Sequence, residues 1–383
     1  SKFHLQCLPL LNFSMAHPSS IHPYPGMRSL LSCQTILAFL VIFRLVADAS
    51  GGQDNHQLSS TLVLSDEDLE LFYQRGWCIL RSAIPREDAV SFSEDQLLPA
   101  LALAGIDPED PLSWHKGERY HSIWDKSKAN NNQYGAHVGL GNGGCKPPAC
   151  LFAETGRLRM ALDQLLNSHG GKVHAEECRR YNPPSPSRAL GRVVVRYPCR
   201  RHWSCWSSLW RYVFRFPWLG WHVDGAGWRH HLHSRQLALV ALMVFGTDTL
   251  ESGQGMTSVV SGSHFLIGKI LNRAYPRGLS YMSLFAWSHF LACIARLPRI
   301  VRFFFGLQHL KLEETIPCEP GDILLFHPFL VHSSSDNFRS RNLRLASNVG
   351  ISWKEDLDVH ALRSGELPVS WVDRVHTIVG KCV

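Results

Sequence analysis

No Cys-x-x-Cys pair occurs among the 11 cysteines, so the spacing that a structural zinc module needs is missing. No internal repeat is present, which excludes an architecture stacked from copies of one unit. Nor is there a Gly-Ser or Pro-rich linker long enough to separate two cores. Charged residues make up only 19% of the 383 residues against 45% hydrophobic, a balance that excludes a disordered polypeptide. Long apolar runs are scarce as well. Leu30 to Phe43 is cut short by Arg44 and falls below what a bilayer span requires. Acids are missing from two segments altogether. Residues 196–215 hold five arginines and residues 269–311 hold seven lysines or arginines, with no Asp or Glu in either. Those 12 charges exceed the net +7 of the whole chain, and the other 27 basic and 32 acidic groups leave the remainder at −5. The basic excess is local, and nucleic acid is not an expected partner.

The chain begins with Ser1 and reads as a leader over residues 1–57 followed by a single domain over 58–383. Within the leader, Met27 opens a signal-like pattern. Arg28 is a short basic start, Leu30 to Phe43 an apolar stretch, and Ala47-Asp48-Ala49 a small-x-small cleavage site. If translation starts at Met27, a secreted or secretory location is expected, and otherwise a cytoplasmic one. Nine cysteines follow Ala49, and Cys145 and Cys150 are close enough in sequence to close a short loop.

Ser65-Asp66-Glu67-Asp68 predicts a helix N-terminus with acids in its first turn, and Gly76 predicts its stop. Trp77 to Arg81 reads as a strand, and Glu87 to Leu98 as a second helix ended by Pro99. Leu158, Leu162, Leu165 and Leu166 form one helical face, ended by Gly170-Gly171. From about residue 190 the pattern becomes short apolar runs bounded by Gly, Pro, Ser and Asp. The expected fold is mainly β with flanking helices, a double-stranded β-helix of the cupin-like jelly-roll kind.

One spacing carries chemistry. His222-Val223-Asp224 is followed 110 residues later by His332. Residues two apart on a strand point to the same side, so His222 and Asp224 can reach one ion. His332, at the end of the run Ile323 to Val331, would complete a 2-His-1-carboxylate facial triad, the arrangement that holds Fe(II) and leaves one face open. Alone, His-x-Asp is weak in a chain with 21 histidines. The apolar run Leu237 to Phe245 and the turn Pro320-Gly321-Asp322 place both pieces at strand ends. Arg344 lies 12 residues past His332. On a returning strand over 343–351 it can point into the same cavity and grip a carboxylate with two parallel hydrogen bonds. Arg339 and Arg341 are its rivals. His230, His231 and His233 read as a solvated or supporting cluster, and His327, five residues before His332, falls on the opposite face.

These residues carry a resemblance. The stretch 221–264, from Trp221-His222-Val223-Asp224-Gly225 to Gly262-Ser263-His264, resembles the phytanoyl-CoA dioxygenase (PhyH-like) family. So does 318–348, with its Gly-Asp strand, distal histidine, small-residue turn and arginine. The stretch 64–85 is similar to the family's opening helix and strand. The three blocks cover roughly half the chain in the right order. The resemblance implies an Fe(II)/2-oxoglutarate-dependent oxygenase. His222, Asp224 and His332 would bind iron and Arg344 the 2-oxoglutarate carboxylate. Ser334 would place a hydroxyl on that carboxylate, and Thr257 would line the pocket wall. His264 would be structural or supporting. O2 is the co-reactant, and a carboxylate at Asp224 favours hydroxylation over halogenation. The expected substrate is a small organic or lipid-like molecule. The alternative is a jelly-roll binding protein without activity.

Two segments interrupt the family blocks. Residues 197–220 carry four tryptophans, and residues 271–310 are rich in Phe, Trp and Arg. The plain reading is inserted sequence, able to lie as a disordered loop beside the metal site. One functional reading is contact with a membrane surface; the other, stacking and phosphate contact with single-stranded nucleic acid, is not the one expected.

Overall fold

The computed structural model describes residues 62–354 apart from 104, 116–129, 133–134, 140–147, 152, 154–155, 167, 170–171, 174–180, 185–191, 199–219, 225–228, 233–237, 247, 316 and 336. The leader, its signal-like pattern and most of the first insert lie outside the described residues.

Local chemistry sets the first elements. Helix α1 (Asp66–Arg75) starts where Ser65 accepts from the Asp68 amide while Asp68 accepts from the Ser65 amide, a reciprocal capping box. It stops at Gly76, which takes the left-handed conformation. Strand β1 (Trp77–Leu80) follows directly. Helix α2 (Arg86–Phe92) does not end at Pro99 as expected. It passes through a π-helical turn, Ser93–Leu97, into a further helix, Leu98–Leu103. Pro99 then sits in the first turn of that segment, where its missing N–H is tolerated. Helix α3 (Arg157–Leu166) carries the predicted leucine face.

Strand parity organises the rest. Along β2 (Arg192–Arg196), Val193 and Val195 join the core beneath the helices, while Val194 and Arg196 turn the other way. Along β3 (Leu239–Phe245), Leu239, Ala241, Met243 and Phe245 meet Phe92 and the helical core; Val240 and Leu242 face a second cluster with Phe326. All seven β3 side chains are buried, because this strand is covered on both faces. The same alternation runs through β6 (Ile323–Phe326) and β8 (Arg344–Trp353), where Leu345 faces the helices and Ala346 the interior.

The larger sheet is antiparallel, in the order β1-β6-β3-β8-β2, and continues to Gly135–Gly139 and Asn130–Asn132. The smaller has β5 (Lys311–Glu314), β4 (Thr257–Ser261) and β7 (His332–Ser334) in that order. An antiparallel bridge from His332 to His222 extends it. From β2 onward the chain passes between the two sheets: β2 large, His222 small, β3 large, β4 and β5 small, β6 large, β7 small, β8 large. That alternation is a double-stranded β-helix, the expected jelly roll.

Two turns fix the strand ends. Asp322 accepts from the Ser82 and Glu319 amides and pairs with Arg81 at 2.8 Å, tying β6 to β1. Gly321 (φ +94°) passes so close to Ile84 that a β-carbon would fall 2.2 Å from its carbonyl oxygen.

The second insert is folded. Helix α4 (Ser263–Arg273) runs into its start, and α5 (Tyr281–Arg296) and α6 (Arg299–Phe304) fill it. Leu284, Leu291 and Ala292 of α5 pack with Trp221, Val223, Val260 and Val331. The disordered-loop expectation is corrected for 271–310: one face of α5 is apolar at helical spacing and builds a core of its own. Cys150 is a free thiol, and Cys145 lies outside the described residues.

Candidate metal centre

The segment 221–224 alternates as an extended chain must. Trp221 and Val223 are buried against α5, and Arg296 lies over the Trp221 ring at 5.7 Å. His222 and Asp224 turn to the opposite side, with side chains about a quarter exposed (26% and 23%). His332 does not end a strand as expected but opens β7, after the turn 327–331 has carried the chain from one sheet to the other.

Backbone pairing brings the two histidines together. The His222 amide donates to the His332 carbonyl at 3.0 Å, and the His332 amide donates back at 2.9 Å. Directly paired residues of antiparallel strands present side chains to one face. The imidazole centroids stand 4.4 Å apart. Asp224 reaches both: Oδ1 is 3.9 Å from His222 Nε2 and Oδ2 is 3.6 Å from His332 Nε2. One donor atom from each of the three residues lies within 4.8 Å of the others.

Each ring is also oriented. His222 Nδ1 donates to the Gly220 carbonyl at 2.7 Å, and His332 Nδ1 to the Leu330 carbonyl at 2.9 Å. A carbonyl only accepts, so Nδ1 carries a proton in each ring, and Nε2 is the nitrogen turned toward Asp224. Burial and the adjacent His332 push His222 down to about 4, against the opposing pull of Asp224. Both the tautomer and the neutral state suit a ligand nitrogen.

Arg344 opens β8 with interior parity and is buried to 2%. Its Nη2 lies 3.5 Å from Thr257 Oγ1, while Nε and Nη1 find no partner among the described residues. Burial and the neighbouring Arg196 hold this guanidinium at about 9 rather than 12.5. Arg339 and Arg341 are exposed, which leaves Arg344 as the buried one of the three. Thr257 pairs across the small sheet with Ser334, and Ser334 stands two residues from His332 on the same face.

Arg196 was not singled out from sequence. It is the direct cross-strand neighbour of Arg344 and is itself 4% exposed. Both β-carbons flank Gly255, where an added β-carbon would lie 3.1 Å from Arg196 Cβ and 3.5 Å from Arg344 Cβ. The signal was available: an arginine within the run Val193-Val194-Val195-Arg196-Tyr197 falls on one fixed face of a strand.

The other histidines do not join the triad. His264 is fully buried, with Nε2 donating to the Tyr73 carbonyl, in a structural role. His327 accepts from the Phe329 amide inside its turn. His230 is buried and pairs with Leu279; burial lowers its pKa while Asp224 raises it. His289 of α5 sits against Gly220, where a β-carbon would fall 2.7 Å from its Nε2. The second insert therefore buttresses the backbone that holds His222. His233 lies outside the described residues.

No family model and no curated protein matches the chain. Among solved structures it is similar to the α-ketoglutarate-dependent carbocyclase SnoK of nogalamycin biosynthesis, at 14% identity and TM-score 0.40 over 80% of this chain and 92% of that one. It is also similar to HygX from Streptomyces hygroscopicus with nickel, 2-oxoglutarate and hygromycin B, at 14% identity and TM-score 0.36 over 76% and 87%. EctD from S. alaskensis with 2-oxoglutarate and 5-hydroxyectoine is similar at 13% identity and TM-score 0.40 over 79% of each chain. At such TM-scores the likeness adds no argument, and the chemistry must be read from the side chains.

Proposed function

We propose that the protein is an Fe(II)/2-oxoglutarate-dependent oxygenase of the phytanoyl-CoA dioxygenase-like kind, hydroxylating a small organic or lipid-like substrate. The observation that carries the reading is the pairing of two features in one jelly-roll interior. Two oriented imidazoles and a carboxylate converge within 4.8 Å, and a fully buried guanidinium nearby has two nitrogen atoms without a partner among the described residues. The donor set suits a divalent first-row ion. The guanidinium suits a carboxylate-bearing cosubstrate, because a buried charge without a counter-ion is otherwise strongly unfavourable. Iron with 2-oxoglutarate and O2 would supply the chemistry, oxidative decarboxylation to succinate and CO2 coupled to hydroxylation of a C–H bond.

The chain's own residues have separable tasks in this reading. His222, His332 and Asp224 hold the ion through Nε2, Nε2 and the carboxylate. Arg344 holds the far carboxylate of 2-oxoglutarate with its fork, with the Thr257 hydroxyl beside it and Ser334 across the sheet pair. Phe326, whose ring lies 4.8 Å from His332, and Leu242 keep the interior apolar and exclude water.

The test is reconstitution of the purified protein with Fe(II) under anaerobic conditions, followed by O2 and 2-oxoglutarate. Succinate release is expected, and His332→Ala should abolish it while leaving the fold intact by circular dichroism. Turnover retained in that variant removes His332 from the site. Metal uptake without succinate release from the wild type favours the inactive binding protein instead.

A further inference from the structure

Helix α5 is apolar on both sides. Its inner face, with Leu284, Leu291 and Ala292, is buried in the core shared with Trp221. Its outer face needs a separate explanation. Met282, Ala286, Phe290 and Cys293 fall at spacings of four, four and three and are all exposed, with Trp287 beside them. No charged residue interrupts that row. A helix apolar all round belongs in a core or against lipid, and here only half of it is in a core.

Helix α6 extends the surface. It reads Arg-Ile-Val-Arg-Phe-Phe and has no buried residue. Ile300 is 62% exposed, Phe303 61% and Phe304 79%. Among the described residues, ten of the fourteen strongly exposed large apolar side chains lie between Tyr275 and Phe305. Single exposed apolar residues are ordinary, but concentration into one patch marks an interaction surface.

Charge identifies what the patch fits. The segment 269–311 contains seven basic residues and no acid. Arg296, Arg299 and Arg302 stand at the junction of α5 and α6, within the aromatic surface. Arg299 is exposed and joins no carboxylate among the described residues, whereas Arg302 keeps its Nε and Nη1 buried. A second copy docking through the same patch about a two-fold axis would set these arginines against their own equivalents, with no acid of the segment between them. A surface carrying fixed negative charge over an apolar layer satisfies both halves of the composition. Neither helix can span a bilayer: among the described residues none is long and apolar enough to cross one. Trp, Phe and Arg on a helix surface suit the boundary between headgroups and acyl chains.

We propose that α5 and α6 form a docking surface for an anionic phospholipid bilayer, with the α5 row and the α6 phenylalanines entering the headgroup boundary and Arg299 meeting lipid phosphates. The inference is independent of the metal-site reading.

The test is co-sedimentation of the full chain with vesicles of phosphatidylcholine alone or mixed with phosphatidylserine. Binding is expected to the mixed vesicles and to weaken with added salt. The double variant Phe303→Asp, Phe304→Asp alters only exposed side chains, so the fold should persist. It should bind at least about tenfold more weakly, and the exposed-charge reversal Arg299→Glu should weaken binding as well. Circular dichroism and thermal melting of each variant establish that the fold is retained. Wild-type protein that ignores both vesicle types overturns the proposal, as does equal binding by folded variants. A dimer that Phe303→Asp, Phe304→Asp dissociates, without vesicle binding by the wild type, assigns the patch to a second copy and likewise overturns it.

Discussion

Replacing Arg344 with methionine should make the ligand-free protein more stable and the loaded protein worse. Methionine follows a similar unbranched path and fills irregular space, so the substitution removes charge with little change of volume. In the free protein the guanidinium has one long contact, 3.5 Å to Thr257 Oγ1, and lies beside Arg196. Its displacement from 12.5 to about 9 corresponds to about 5 kcal/mol against the charged form, at about 1.36 kcal/mol per unit. Relaxation and water penetration reduce what a variant recovers, leaving a net stabilisation of about 1–3 kcal/mol. For a domain of this size that raises Tm by roughly 3–6 °C. A two-bond, charge-assisted grip on 2-oxoglutarate is lost at the same time, so KM for 2-oxoglutarate should rise about 100-fold or more. Thermal melts with and without Mn(II) and 2-oxoglutarate read both effects on one sample. A variant that melts below the wild type, yet is stabilised by 2-oxoglutarate as the wild type is, refutes the reasoning on both counts.

Three further outcomes are expected. His222 is held at about 4 where an unfolded imidazole takes its proton near 6.5, so between those values the unfolded chain binds more protons. Its contribution is full above pH 6.5 and lost as pH falls through 4; urea unfolding of metal-free protein should show about 2 kcal/mol less stability at the acid end, and His222→Gln should flatten that slope. Gly255→Ala forces a left-handed backbone (φ +83°) and a β-carbon 3.1 Å from those of Arg196 and Asn337; a loss of about 1–2 kcal/mol in denaturant titration and a raised KM for 2-oxoglutarate should follow, with metal affinity unchanged. Ser65→Ala opens the capping box of α1 and should lower stability by about 1 kcal/mol without touching succinate release.

Much of the site was legible because strand parity is strict. His222 and Asp224, His332 and Ser334, and Arg344 against Leu345 all follow from a period of two. The same rule applies to Arg196, which follows Val193-Val194-Val195 on one fixed face, but composition groups it with the acid-free basic segment 196–215. Parity also misled. The run Ile323 to Val331 looked continuous, yet the chain turns after Phe326 and starts again at His332, because apolar residues fill the turn as well as the strand. Pro99 was read as a stop when a π-helical turn had already reset the helix. Helix α5 was hardest to read. A segment apolar on every side has no amphipathic signal, and only packing distinguishes the face on Trp221 from the face left open.

The reciprocal amide bonds between His222 and His332 bear on how an ion comes and goes. Each ring is pinned by its own Nδ1, and the strands beneath are stitched by the backbone alone. None of these bonds uses a donor atom that the metal would take. If the site holds an ion as proposed, loading should need little rearrangement, and a chelator should strip the ion while the sheets around it stay paired.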